Sequence, residues 1–341
     1  MKATAYIETL LVGCALLGVS CSGHDKVSTV SRQEITVSPT TQPVTRAAIS
    51  GTDMPDGFHI WLSTYLSDET EAVNNRNYFT DVEYAKDVSV WKSATPHYWP
   101  LQGTLDFLGI ATDPALGINC TWNASRNTSR VDVDVPDTYA SQTEVLYAAS
   151  YPLAGVHASV PMSYYHSQAL LIFKTRASTL NLIKVTDITI HDVYTAGTLI
   201  VKTDGPLIAE WDYSSAVASD RAVPKPSVDY ELEPGDTFLP FGSELLLPEQ
   251  LNKTFTVTFK QRANTGIAWD SDLVVEQTFT FDDVFRMWQM GKRYTYNIDF
   301  TLTGITVTPS IEDWTFYYED QPVGKYNSIG TVCGLMQQGR L

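Results

Sequence analysis

Cysteine is scarce in this 341-residue chain: only four are present, and two of them, Cys14 and Cys21, fall in the first stretch. Cys120 and Cys333 are the rest, too few for a disulfide framework, and no Cys/His spacing fits a zinc site. The two either bridge in an oxidising compartment or sit as buried thiols. Histidine is sparse as well, with six scattered residues (His24, His59, His97, His157, His166 and His191) and no i, i+4 metal spacing. Basic residues are outnumbered, 23 Lys and Arg against 39 Asp and Glu. Without residues 1–46 the balance is 19 against 36, so the acidic excess belongs to the body of the chain. A nucleic-acid partner is excluded on that ground, because phosphate neutralisation needs a basic face. Acidity of this kind fits an exported surface without naming a partner. No Gly-rich phosphate loop, nucleophile elbow or fixed-period repeat occurs, which removes nucleotide chemistry, serine hydrolysis, propellers and solenoids from consideration.

Paired carboxylates are the remaining chemical signal. In "VDVDVPD", Asp132 and Asp134 share one strand face, where they either hold calcium or form the solvated side opposite Val131, Val133 and Val135. Asp282 and Asp283 are adjacent in sequence, which says nothing about the cleft separation a glycosidase requires. Asn123, Asn127 and Asn252 match a glycosylation sequon, a short pattern that carries little weight by itself. No catalytic residue, metal ligand or cofactor emerges, and the expectation is that the protein is not an enzyme.

Only one long apolar run is present. "TLLVGCALLGVS" follows Met1-Lys2 and ends at Cys21. At about a dozen residues it is too short to span a bilayer, which takes ~20. It reads as a signal core, residues 1–20, cleaved before Cys21, which becomes lipidated. Cys14 fits the local pattern less well, because Glu8 interrupts its shorter core. Lipidation means anchored, not spanning. Residues 21–46 are Ser/Thr/Val/Gln-rich and read as a leader. Within it "QEITVSP" alternates, Ile35 and Val37 on one side, so it is either a short strand or a linker with chance alternation. Arg46 stands alone, the sole Lys or Arg between Arg32 and Arg76, in a loose Thr/Pro/Ala segment.

From residue 58 the chain is a succession of five- to nine-residue runs rich in Val, Ile, Thr, Tyr and Phe, separated by Gly, Pro, Asn or Asp. "FHIWLSTYL", "LDFLGIA", "ALLIFKT" and "TFTVTFKQ" are typical. Helical periodicity is nearly absent, with "FDDVFRMWQMG" the best short helix or turn candidate. The pattern predicts an all-β protein of two tandem β-sandwiches, residues 47–158 and 159–314, with a boundary near "SYPLAGVHASVPM". Residues 315–341 form a tail. Eight Trp and eighteen Tyr either fill the cores or contact ligands. Trp61, Trp99 and Trp314 lie in strand-like runs and read as core, whereas Trp211 and Trp269 lie in polar loops and are candidates for ligand contact.

Several blocks together resemble the fimbrillin (Mfa-like and FimA-like) pilins of Bacteroidales. "HYWPLQGTLDFLGIAT" (97–112) carries the aromatic-Trp-Pro and Leu-Asp-Phe signature. "TEVLYAAS" (143–150), "VPMSYYHSQALLIFKT" (160–175), "LLLPEQLNKTFTVTF" (245–259) and "GKRYTYNIDFTLTGITVTPSIEDW" (291–314) follow in the family's order. Gln168-Ala169 departs from the usual small-plus-basic pair, and the residues after Trp314 match no pattern. The resemblance implies two transthyretin-like sandwiches, export as a lipoprotein to the outer membrane, and a cut by an arginine-specific protease between Arg46 and Ala47. It implies that the leader strand bearing Ile35 and Val37 is then lost, and that another subunit's strand fills the gap in a head-to-tail fimbria. The candidate donor is the tail, with Ile329, Thr331, Cys333 and Leu335 on one face; its alternative is a frayed terminus. A structural pilin subunit for adhesion and biofilm is the leading expectation. A tip or stalk adhesin holding a host glycan or protein through Trp211 or Trp269 is the alternative.

Overall fold

The structure, a computed structural model, describes residues 33–41, 54, 57–66, 77–114, 119–123, 128–136, 141–142, 144–154, 159–179, 181–202, 207–225, 230–251, 254–263, 274–280 and 287–314. Among them there is no α-helix. The first nine strands are β1 (Val37–Thr41), β2 (His59–Leu66), β3 (Asn77–Asp87), β4 (Val90–Ser93), β5 (Thr104–Thr112), β6 (Asn119–Asn123), β7 (Thr128–Asp134), β8 (Leu146–Ala154) and β9 (Val160–His166). Next come β10 (Gln168–Ala177), β11 (Asn181–Val193), β12 (Ala196–Lys202), β13 (Ile208–Asp212), β14 (Ser219–Ala222), β15 (Tyr230–Leu232), β16 (Leu239–Pro240) and β17 (Leu245–Pro248). The last are β18 (Gln250–Leu251), β19 (Thr254–Ala263), β20 (Val274–Thr280), β21 (Met287–Trp288), β22 (Lys292–Thr301) and β23 (Gly304–Asp313). Of the short helix or turn candidate, residues 281–286 lie outside the described set, and Met287–Trp288 is strand.

The first body is a closed barrel in the order β1-β4-β3-β2-β5-β8-β9, with β9 pairing back to β1. The period-2 pattern of "FHIWLSTYL" sends Phe58, Ile60 and Leu62 into its core, where they meet Trp99, Phe107 and Tyr164. Tyr65 is buried out of that parity because the pairing with β3 slips between Leu62 and Tyr65. In the opposing strand Asp81 takes a left-handed φ of 51° and its N–H donates to Ser63 Oγ at 3.0 Å, the local chemistry of a bulge. Gly109 is required on β5, because a Cβ there would meet the Tyr164 hydroxyl.

The second body is a sandwich. One sheet runs β16-β10-β22-β23, with β17 also on β10. The other runs β14-β11-β19-β20, with β15 also on β11. Their inner faces meet through aromatic rings, Phe173 against Phe255 at 5.7 Å and Phe259 against Phe300 at 4.9 Å. A third, smaller core joins Leu108, Ile110, Val131, Val145, Leu170 and Leu199 under the sheet β13-β12-β7-β6. It explains why "LDFLGIA" and "ALLIFKT" read as unbroken apolar runs. Leu105 and Phe107 of β5 face the first core while Leu108 and Ile110 face the third. On β10, Leu171 and Phe173 face the second core while Leu170 faces the third. A strand buried on both faces has no polar side to alternate.

The boundary expected at 158/159 needs correction. Strand β9 continues the barrel to His166, and β7 pairs with β12 along its whole length, from Asp134↔Ala196 to Thr128↔Lys202. Turn composition near residue 155 marks a connection but cannot show which body the next strand completes.

Candidate assembly site

The leader strand is part of the barrel wall. Its pairing with β9 is parallel over five residues, Val37↔Val160 through Thr41↔Tyr164, and Val37 also pairs antiparallel with Trp91 of β4. Upstream, the Ile35 N–H donates to His97 O at 2.7 Å and the Trp99 N–H donates to Gln33 O at 3.0 Å. The Val160 N–H donates to Thr36 O at 2.8 Å. Ile35 is 0% exposed and Val37 1%, and Pro39, next in the same parity, is buried too. Ser38 and Thr40 are the outer residues and reach Ser159 Oγ and Met162 O. The alternation seen in "QEITVSP" is therefore that of a half-buried strand.

The magnitudes are large for so short a segment. Burying an Ile or Val side chain is worth about 1.5–3 kcal/mol each. A backbone group buried and left without its partner costs about 1–3 kcal/mol more. An empty β1 position would expose the Val160–Tyr164 edge on one side and Trp91 with His97–Trp99 on the other.

A polar hub lies where β9 passes into β10. His166 Nδ1 bonds Glu144 Oε1, both residues being buried. Burial pushes the His166 imidazolium down to about 3, so the ring is neutral at neutral pH. A carboxylate opposite Nδ1 places the single imidazole proton on that nitrogen. The His166 ring stacks on Trp314 at 4.2 Å and 16°. Gln168 Oε1 accepts the Val145 N–H at 3.1 Å, and Ser167 Oγ donates to Val145 O at 2.6 Å. Glu144 Oε2 and Gln168 Nε2 are buried without a hydrogen-bond partner among the described residues.

The other candidate residues fall into two groups. Cys21, Arg46, Ala47, Trp269, Ile329, Thr331, Cys333 and Leu335 lie outside the described residues. Trp211 is described and half-buried on β13. Its indole N–H donates to Ser167 O at 2.7 Å, and its ring stacks parallel to Tyr213. Tyr213 in turn lies over Gly197 and bonds Glu249 O, so this aromatic row is tied into the sheet beneath it. Trp99 and Trp314 are core, as their strand-like settings imply, whereas Trp61 is half-buried beside His59. Asp132 and Asp134 are exposed opposite buried Val131, Val133 and Val135, and Asp132 accepts from Thr198 Oγ1 at 2.6 Å. Cys120 sits opposite Val131 on β6. Among the described residues no three His, Cys, Asp or Glu gather to hold a metal ion.

Sequence reasoning missed two features. Parallel pairing of β1 with β9 joins segments more than a hundred residues apart, and no local signal encodes it. The Glu144–His166–Trp314 hub joins three separate blocks, and a lone Glu at the entry to a β run was its only trace.

A family model described as "Fimbrillin-like" matches residues 45–314. Among solved structures, a fimbrial protein from Bacteroides vulgatus is 12% identical, with 83% of this chain and 100% of that one covered and a TM-score of 0.62. The tip fimbrial protein Mfa3 from Porphyromonas gingivalis, with C-terminal truncation, is 12% identical over 76% of this chain and 95% of that one, TM-score 0.43. A fimbrial assembly protein from Parabacteroides distasonis is 12% identical over 83% of this chain and 96% of that one, TM-score 0.39. At these identities the Bacteroides vulgatus likeness is one of fold. No curated protein matches the chain.

Proposed function

The chain belongs to the fimbrillin-like family, and from that premise we propose that it is a cell-surface fimbrial subunit that polymerises by exchanging strand β1 for a strand of another copy. The observation carrying this reading is that residues 33–41 complete the barrel with Ile35 and Val37 fully buried, while the family match begins only at residue 45. A precursor lipidated at Cys21 is carried to the outer membrane. An arginine-specific protease then cuts after Arg46, leaving Ala47 as the new N-terminus. An isolated arginine in a Thr/Pro-rich sequence suits such a protease.

The cut itself breaks no contact in the barrel. It turns an intramolecular strand, held at an effective concentration of roughly millimolar by its tether, into a separate peptide that can leave. Its departure uncovers apolar sockets and unpaired edges, and an open edge of that kind is a template for strand addition. The incoming strand is assigned to residues 325–338, with Ile329, Thr331, Cys333 and Leu335 facing inward. Because the donor of one copy fills the groove of another and not its own, the contact repeats head to tail into an open filament.

The test is to treat purified precursor with an arginine-specific protease and look for laddered oligomers, then repeat with the chain truncated after Trp314. A ladder with the full chain and none with the truncation is expected. Laddering that persists in the truncated chain removes the tail as donor, and a monomer that stays intact and closed after cleavage at Arg46 removes strand exchange. Mass spectrometry of cell-surface material reads the Ala47 terminus and the Cys21 lipid directly.

A further inference from the structure

We infer that strand β9 couples the departure of β1 to the loosening of Trp314, the residue from which the C-terminal tail follows. The inference rests on the reading above that β1 leaves the barrel, and it concerns how that departure is felt elsewhere.

Three observations carry it. First, β9 depends on β1. Five registered pairs join them, whereas β8 contributes two, Leu146↔His166 and Tyr147↔Tyr165, both at the far end of β9. Without β1, the stretch Val160–Tyr164 loses its registered partner while Tyr165 and His166 keep theirs. With so few registered pairs left, β9 is held mainly by packing alongside β8 and opens locally at lower cost than when both edges are paired.

Second, the inward row of β9 runs through the barrel core and ends in the hub. Val160, Met162 and Tyr164 are core residues, and His166 is next in the same parity. Movement of that row is therefore movement of the imidazole.

Third, Trp314 is held by what surrounds His166. Its ring stacks on the imidazole at 4.2 Å. Its N–H donates to Gly291 O at 2.9 Å, and the Gly291 N–H donates to Gln168 O at 2.9 Å. The ring anchor and one branch of the backbone anchor thus lead to residues 166–168, the other branch being the β22–β23 ladder that ends at Lys292↔Asp313. A two-state element, β9 paired or unpaired, links the leader's seat to the tail's root, which is the physical requirement for coupling. Before the cut the tail's root stays fixed; after β1 leaves, it loosens in the same copy that has gained an open groove.

Amide hydrogen exchange on the full-length chain tests this. In Ile35→Asp/Val37→Asp, two buried charges evict β1 without any cleavage, and loss of protection at Val160, whose N–H donates to Thr36 O, reports the eviction. The expected result is at least tenfold faster exchange at Trp314 and Gly291, with Ile298 in the second core unchanged. Fast exchange at Val160 with wild-type protection at Trp314 and Gly291 overturns the coupling. Coupling is reciprocal, so Trp314→Ala in the uncut chain is expected to speed exchange at Val160 several-fold. Wild-type protection there overturns the inference even if the double variant unfolds. Protease-treated wild type is measured alongside. If the leader stays bound after cleavage, strand exchange fails while the two variants still decide the coupling.

Discussion

The two bodies of this protein close themselves in different ways. The second draws every strand of its two facing sheets from residues 168–313, and its core side chains run from Ala169 to Ile305. The first is closed by a segment upstream of everything else in it, Val37 pairing with Val160 and Trp91. Both cores are apolar and aromatic-rich, so composition does not distinguish them. What differs is where the last stave comes from. A wall element at one end of the body, joined through residues 42–53, can be separated from it by one cut along a long connection, whereas the terminal strand of the second body, β23, is joined to β22 by the tight turn at Leu302–Thr303.

Core deletions break this comparison most sharply. Ile35→Ala and Ile298→Ala each remove a fully buried side chain and are expected to destabilise the intact chain by about 2–5 kcal/mol. After cleavage at Arg46 and loss of the leader, Ile35→Ala has nothing left to destabilise, while Ile298→Ala keeps its full effect. Urea unfolding before and after protease treatment reads the difference, and an Ile35→Ala penalty that survives leader removal contradicts it. Next in size is Gly109→Ala, whose new Cβ meets the Tyr164 hydroxyl. It is expected to cost about 1–3 kcal/mol as overpacking. Tyr164→Phe should restore part of the loss in thermal melts, and a Gly109→Ala melt equal to wild type would show that the barrel wall yields freely.

Acid sharpens the comparison at the junction. His166 has its folded value lowered by burial from 6.5 to about 3. Below 6.5 the unfolded chain takes up a proton that the folded chain refuses, so stability is full above 6.5 and falls towards 3, by about 1.4 kcal/mol per pH unit for this group. Melts of wild type and His166→Gln between pH 7 and 4.5 test this, the variant being expected to show the shallower slope. The smallest effect belongs to the β3–β4 hairpin. Val88, β-branched and 93% exposed, holds a left-handed φ of 58°. Relieving that strain with Val88→Gly is expected to stabilise the first body by about 1 kcal/mol, visible as a higher melting temperature in the uncut chain.

Much of the fold was legible residue by residue. The alternation of Ile35 and Val37, of Phe58, Ile60 and Leu62, and of Val131, Val133 and Val135 named their inward faces correctly, because a pleated strand has only two sides. Trp99 and Trp314 were legible as core for the same reason. The boundary near residue 158 was not, because "VPMSYYH" has the same local pattern whichever body it completes. For Trp211, a polar neighbourhood in sequence says nothing about the carbonyl 44 positions away that accepts its indole proton.

By itself, the amino-acid order determined the all-β character, the inward faces of the strands, the isolation of Arg46 and the family, since each is written in neighbouring residues or short blocks. Tertiary structure alone decided that β1 runs parallel to β9, that β5 and β10 are buried on both faces, and that Glu144, His166 and Trp314 share one buried site. Those facts depend on which distant edges meet, and an unpaired backbone edge accepts any strand of suitable length and parity until the rest of the chain has chosen one.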